Sequence, residues 1–217
     1  MEKIHYARER NKSQVSFYIL IKRIIDIVVS FVLLLCLSPF LLLFSIAILI
    51  FSGRPIFFKQ SRTGKHNQPF TIWKFRTMQK YPNSKKLHNY QWLEGVPNDF
   101  LFETPTQQKI TRIGKIYRKL SIDELPQLFN VLRGDMSLIG PRPEIPEITQ
   151  LYSRYQAMRL KVKPGMSGYA QINGRSVINH GMKIEYDLYY IENQSIGLDV
   201  KIFFKTIGLV IRGKGAW

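Results

Sequence analysis

The sequence holds a single cysteine, Cys36, and it lies inside an apolar run. One thiol excludes a disulfide framework and a cysteine-ligated metal, and it suits a chain facing a reducing, cytosolic compartment. Histidine is nearly as scarce. His5, His66, His88 and His180 are scattered through polar stretches without metal-ligand spacing and read as surface residues. Acids are few as well: 15 Asp+Glu stand against 32 Lys+Arg, a formal charge of +17 over 217 residues. So basic a surface must meet something anionic, whether nucleic acid, acidic lipid headgroups or a phosphorylated substrate. There is no G-x-x-x-x-G-K-[ST] loop and no G-x-G-x-x-G after a strand, so nucleotide binding by those routes is unsupported. No Ser/His/Asp grouping, internal repeat or low-complexity tract stands out.

What the chain does have is one long apolar run, Ile24 to Phe51, with Asp26 as its only charge. A bilayer core takes roughly 20 apolar residues per spanning helix, so the run is long enough to insert. It is too long for a signal peptide and lacks a small-x-small cleavage site after it. Basic residues crowd both flanks: Lys22 and Arg23 before it, then Arg54, Lys59, Arg62, Lys65, Lys74 and Arg76, with no acid until Glu94. Both flanks therefore prefer the cytoplasm, which a straight span does not allow. Ser38-Pro39 sits mid-run, where proline removes a helical hydrogen bond and the neighbouring hydroxyl can help repair the ladder. The expectation is a re-entrant helix-break-helix over residues 21–52, entering and leaving one leaflet; an ordinary kinked span is the alternative. Residues 1–20 form a basic N-terminal segment. Asp26, one turn from Lys22 and Arg23, is expected in a local ion pair.

Residues 53–217 read as a soluble unit of mixed helix and strand, which makes the whole chain α+β. Pro55 to Gln60 and Phe70 to Thr77 pattern as strands about a Thr63-Gly64-Lys65 turn. Alternation places Lys74 and Arg76 on one face, either solvated or turned to phosphate. Residues 79–108 form a long polar loop. Thr111 to Leu120 is a basic amphipathic helix or strand. Residues 144–161 pattern as a helix burying Ile148, Leu151, Tyr152 and Tyr155. A turn-rich Lys163–Gly168 leads to a short strand, Tyr169 to Arg175, and Glu185 to Tyr190 is helical. Leu198 to Ile211 is an amphipathic helix, either lying among lipid headgroups or packed in the core.

Ser121 to Glu144 is the most informative stretch. It holds adjacent carboxylates, Asp123 and Glu124, in a strongly basic protein. Leu125, Leu128, Phe129 and Leu132 fall on one helical face, Gly134 can end that helix, and Gly140-Pro-Arg-Pro143 is a stiff turn presenting Arg142. Ser121 and Glu124 fit a capping box, with Asp123 merely facing the helix dipole. Alternatively, a helix N-terminus attracts phosphate, two neighbouring carboxylates share a divalent cation, and one of them attacks phosphorus.

These pieces resemble the bacterial sugar transferases, the monotopic phosphoglycosyl transferases. The likeness runs from Lys22 to Asp199: Lys22-Arg23 and Asp26 ahead of Ser38-Pro39, Pro55–Gln60 with Arg62 and Gly64, and Lys74–Met78. It continues through Thr111–Gly114, Arg118 with Asp123–Leu128, Gly134–Pro143, Lys163–Gly165, and Tyr186-Asp187 with Tyr189-Tyr190. The resemblance implies transfer of a sugar-1-phosphate from a UDP-sugar to polyprenyl phosphate, with UMP as by-product, at the cytosolic face of the bacterial inner membrane. It implies Asp123 as the nucleophile that carries the phosphosugar and Glu124 as the partner of Mg²⁺, with Asp123 beside the metal. It implies Arg118 and Arg142 at the substrate and a hairpin pivoting at Ser38-Pro39; Lys74 and Arg76 are expected to help bind the phosphates. The extra spanning helices of larger family members are lacking, and the 79–108 loop is longer than the smallest form would need.

Inner-leaflet anionic lipids are expected partners of the basic face, and the oligomeric state is open, a homodimer included. A nucleic-acid binder is disfavoured by the apolar run, and a non-catalytic membrane-anchored subunit by the carboxylate pair between Arg118 and Arg142. An ordinary glycosyl transferase would release UDP in place of UMP.

Overall fold

The computed structural model describes residues 12–79, 92, 95–101, 110–174 and 178–213, with the backbone alone for 12–16. Most of the 79–108 loop and residues 1–11 lie outside the described residues. The chain begins with α1, Lys12–Ser52, which starts inside the stretch expected as a separate N-terminal segment. Its apolar length is left almost entirely uncovered by the rest of the protein. Among the described residues it is the one helix long and apolar enough to cross a membrane.

The expected interruption at Ser38-Pro39 is not a gap in the helix: α1 runs through Pro39. The Ser38 hydroxyl donates to the Leu35 carbonyl at 2.8 Å, the acceptor that Pro39 leaves without an N–H. Both ends of α1 are fixed to the same folded unit. Near its start, Lys22 pairs with Asp199 at 2.6 Å, and Arg23 donates to the carbonyls of Val131 and Leu132 at 2.6 and 2.8 Å. Asp26 is buried and accepts from the Ser137 hydroxyl and the Leu138 N–H, so the expected local ion pair does not form. The neighbouring cations are drawn away to a carboxylate and to helix-end carbonyls. Near its other end, Ile48 is fully buried, and Phe44 packs edge-on against Phe75 and Tyr117.

The hairpin expected after α1 is present. Strand β1, Phe57–Thr63, pairs antiparallel with β2, Pro69–Phe75. A basic helix α2, Arg112–Lys119, follows, capped by the Thr111 hydroxyl on the Gly114 N–H. The stretch after it departs from expectation. Ser121 adopts a left-handed conformation (φ 55°) and makes no side-chain cap, so the capping box with Glu124 is absent. Ile122–Glu124 form a 3-10 turn, and α3, Gln127–Arg133, starts from Pro126. That later start rotates the buried face to Gln127, Leu128, Asn130 and Val131, leaving Phe129 half exposed. Gly134 ends α3 at φ 92° as expected, a conformation that favours glycine.

The second sheet is parallel: β3, Ser137–Ile139, beside β4, Gly165–Ser167. At this junction a Cβ on Gly165 would lie 2.1 Å from the Gly140 amide nitrogen, so only glycine allows the two backbones to meet. The expected single helix over 144–161 is three short turns: α4, Pro146–Thr149, α5, Arg154–Ala157, and a 3-10 turn, Met158–Lys161. A capping box of Ser153 and Gln156 restarts the chain at α5, and Tyr155 is thereby exposed. The expected strand at Tyr169 is instead helix α6, Tyr169–Asn173. Helix α7, His180–Glu192, begins with a fully buried His180 that leans on Tyr152, contrary to the surface reading. Helix α8, Ile196–Ile211, buries Asp199 and Ile202 and exposes Val200, Phe204, Ile207 and Ile211. Nothing among the described residues covers these apolar side chains, as on a helix lying at a lipid boundary.

Candidate active site

The 3-10 turn after α2 carries the acid pair beyond the left-handed Ser121, and Arg118 in the last turn of α2 is near enough to act on the Asp123 charge. Asp123 is 8% exposed, and among the described residues it makes no ion pair. Glu124 is tied down from two sides. Lys74 of β2 reaches its Oε1 at 2.8 Å, and Arg142 of the Pro-Arg-Pro turn reaches the same oxygen at 2.7 Å. Three segments far apart in sequence thus converge on one carboxylate.

The electrostatics separate the two acids. Burial pushes the Asp123 carboxyl up to about 6, and the neighbouring Glu124 charge adds to this against the pull of Lys74, Arg118 and Arg142. Burial alone would raise Glu124 too, but Arg142 and Lys74 more than offset it and hold Glu124 well below the usual carboxylate range. Lys74 is pushed down by burial and partly restored by Glu124. Glu124 is therefore a fixed anion clamped by cations, while Asp123 is a desolvated carboxylate without a clamp. Such a group is more nucleophilic than a salt-bridged one, and the cations stand ready for incoming phosphate.

Of the expected site residues, Asp123, Glu124, Lys74, Arg142 and Arg118 come together. Arg76 does not join them. It is buried and donates to the carbonyls of Ser52, Gly53 and Arg54, closing the C-terminal end of α1. Its place one residue past β2 breaks the alternation that paired it with Lys74. Ser38 and Pro39 lie in the apolar length of α1.

The sequence reading missed Arg62, Glu144, Arg159 and Asp187 as members of the surrounding charge cluster. Arg159 is 2% exposed, forms an ion pair with Asp187 at 2.6 Å and donates to the Tyr152 hydroxyl at 2.7 Å and the Arg142 carbonyl at 2.9 Å. Lys183 meets Glu144 at 2.8 Å. Burial works against the Glu144 charge, but Lys183 and Arg159 outweigh it and hold the carboxyl down at about 2. The signal available for Arg159 and Asp187 was a charged side chain at a helical position otherwise facing the core.

Magnesium takes one or two carboxylates and completes its octahedron with water and phosphate oxygens. The residues present fit that habit. Both cation contacts of Glu124 fall on Oε1, and Oε2 makes no hydrogen bond among the described residues. No group of three or more His, Cys, Asp or Glu side chains gathers among the described residues, so the acid pair would have to share an ion with substrate oxygens.

A small α+β unit seated on an apolar helix, with an acid pair set among cations, suits an enzyme that handles anionic compounds beside a membrane. The chain belongs to the bacterial sugar transferase family, whose profile matches residues 17–213. It is 43% identical over 197 residues to an uncharacterized sugar transferase, EpsL, of Bacillus subtilis (strain 168), covering 90% of each chain. It is 42% identical to the UDP-N-acetylgalactosamine-undecaprenyl-phosphate N-acetylgalactosaminephosphotransferase of Aeromonas hydrophila, over 92% of this chain and 45% of that one. It is 41% identical to the UDP-glucose:undecaprenyl-phosphate glucose-1-phosphate transferase of Klebsiella pneumoniae, over 86% of this chain and 39% of that one. The chain thus spans most of the Bacillus relative and less than half of the other two.

Proposed function

We propose that the protein transfers a sugar-1-phosphate from a UDP-sugar to undecaprenyl phosphate at the cytosolic face of the cytoplasmic membrane, as a first membrane step of polysaccharide synthesis. The observation that carries this reading is the division of labour in the acid pair: Glu124 clamped by Lys74 and Arg142, Asp123 buried and unclamped. An Asp123 oxygen attacks the phosphorus that bears the sugar. The bond between that phosphorus and the bridging oxygen breaks, and UMP leaves with the electron pair. A phosphate oxygen of undecaprenyl phosphate then attacks the same phosphorus, the aspartyl bond breaks, and undecaprenyl-diphosphate sugar departs.

Attack by a carboxylate on a diphosphate brings anion to anion, so neutralising charge is the main task. Lys74, Arg118 and Arg142 do this, three cations against two carboxylates. Arg142 also offers its planar fork to phosphate oxygens. Mg²⁺, when bound by Glu124 with Asp123 alongside, would supply further charge neutralisation at the diphosphate. The Aeromonas and Klebsiella relatives name different sugars and share undecaprenyl phosphate, which supports that acceptor ahead of any one sugar.

The attachment of both ends of α1 to one polar unit supports a helix that enters and leaves the same leaflet, bent about Ser38-Pro39. From Lys22 to Ile48 a straight α-helix would run about 39 Å, longer than a hydrocarbon core of about 30 Å. The exposed apolar face of α8, with Lys201 and Lys205 beside it, suits the anionic inner leaflet. A purely structural membrane subunit would have no use for a desolvated acid next to a cation clamp.

A panel of UDP-sugars offered with undecaprenyl phosphate and Mg²⁺ tests the reading. One of them is expected to yield UMP and a lipid-linked diphosphate sugar. UDP as the by-product would overturn the assignment.

A further inference from the structure

The turn that presents Arg142 is gripped at four consecutive carbonyls by donors from three different segments. The Pro141 carbonyl accepts from the Gly165 N–H at 2.9 Å, and the Glu144 carbonyl from the Thr63 N–H at 2.9 Å. Between them, two guanidinium groups reach in: Arg159 donates to the Arg142 carbonyl at 2.9 Å, and Arg62 to the Pro143 carbonyl at 3.0 Å. The two prolines have no N–H of their own, so this turn is held through its oxygens. Arg159 is itself fixed by Asp187 of α7 and by the Tyr152 hydroxyl, and it is almost fully buried.

We propose that Arg159 is a positioning residue for the transfer reaction, holding the main chain of Arg142 so that its guanidinium reaches Glu124 and the substrate phosphate. This rests on the reading of Arg142 as a substrate-binding group. A buried arginine between two carboxylates has a bland alternative, a charge neutralised inside the core. Two features argue against that as its whole role. One of its hydrogen bonds goes to the backbone of the very residue that carries the site cation. The arrangement also uses a planar, doubly donating side chain where a lysine would satisfy the charge alone. The Arg142 guanidinium stands four rotatable bonds from its Cα, so a small rotation of the backbone is magnified along the length of the side chain, and misplacement by about 1 Å costs on the order of a hundredfold in rate.

A double-mutant cycle separates the two roles. In the full-length protein in detergent, Arg159→Lys keeps the charge and loses the fork. It is expected to lower kcat/KM for the sugar nucleotide at least tenfold, mainly through kcat. In an Arg142→Ala background the same change should cost less than twofold, because nothing is left to position. Tyr152→Phe, which removes one acceptor of Arg159 and no charge, runs the same cycle in a fold that is minimally disturbed, with a smaller first effect. Equal losses in both backgrounds would overturn the proposal and leave Arg159 as core structure. Full activity in Arg142→Ala would overturn it as well. Trapping the phosphosugar on Asp123 reads the catalytic assignment separately, since that adduct forms or fails to form whatever the cycle shows.

Discussion

At the scale of single residues, the site works by giving two neighbouring carboxylates opposite surroundings. Glu124 spends its charge on Lys74 and Arg142; Asp123 keeps its charge in a desolvated place. The raised carboxyl fixes the sign of a pH effect. Asp123 has a folded value of about 6 against an unfolded value of 3.8, so the folded protein holds the extra proton between those limits. Stability therefore falls as pH rises through that window, and above it the ionised Asp123 costs on the order of 1 to 3 kcal/mol. Asp123→Asn should abolish transfer and the covalent adduct while leaving the protein more stable than the parent at pH 7.5, with the gap closing toward pH 4. Thermal unfolding at the two pH values, together with a turnover assay, checks this. An Asn variant with full turnover removes Asp123 from the chemistry. The pair was legible in the sequence because adjacent acids are conspicuous in so basic a chain, and Arg142 because two prolines frame it. Arg159 was not legible: its role runs through a main-chain carbonyl 17 residues away, and no side-chain pattern records that.

At the scale of elements, the pieces with a strong local period were read correctly and those governed by a turn were not. The β1–β2 hairpin, α7 and α8 follow from alternation and helical spacing, and α2 settles as a helix a stretch whose pattern allowed helix or strand. The buried face of α3 did not, because the left-handed Ser121 and the 3-10 turn delay the helix to Pro126 and shift its face. A non-glycine residue in that conformation carries a strain of about 1 kcal/mol or more, tolerated where it aims Asp123. Helix α1 combines both situations. Its composition announced a membrane element, yet the run continues through Pro39, an interior proline that disfavours a straight helix by about 3 kcal/mol. The same-leaflet reading is tested in a Cys36→Ser background carrying one cysteine at Ser13 or at Lys65. An impermeant maleimide applied to the cytoplasmic face of vesicles should label both positions. Labelling of only one would mean a spanning helix. Pro39→Ala in the same background should shift the Ser13 position toward the opposite face, because restoring the hydrogen bond to Leu35 favours a straight rod.

At the scale of the whole molecule, the proposed reaction joins a soluble donor to an acceptor confined to the bilayer, and the fold has a polar side and an apolar side to match. Among the described residues, the apolar length of α1 and one face of α8 are largely exposed, while the acid pair belongs to the polar unit fixed to both ends of α1. A site of this kind gains from dividing the reaction, because the lipid phosphate and the sugar nucleotide are both anions and need not occupy the cation cluster together. Three cations neutralise one incoming diphosphate beside two carboxylates more readily than a diphosphate and a lipid phosphate at once. Two half-reactions through Asp123 therefore predict ping-pong behaviour. Mixed with the accepted UDP-sugar and Mg²⁺ but without lipid, the protein should release UMP in a burst approaching one equivalent per active chain, then stop. Adding undecaprenyl phosphate should restart release at the steady rate. Asp123→Asn should give no burst, whereas Arg142→Ala should give a slow one that still reaches the same amplitude, since it impairs charge neutralisation and leaves the nucleophile in place. Absence of a burst in the parent protein, with steady UMP production once lipid is present, would mean direct attack by the lipid phosphate and would leave the desolvated aspartate without its chemical task.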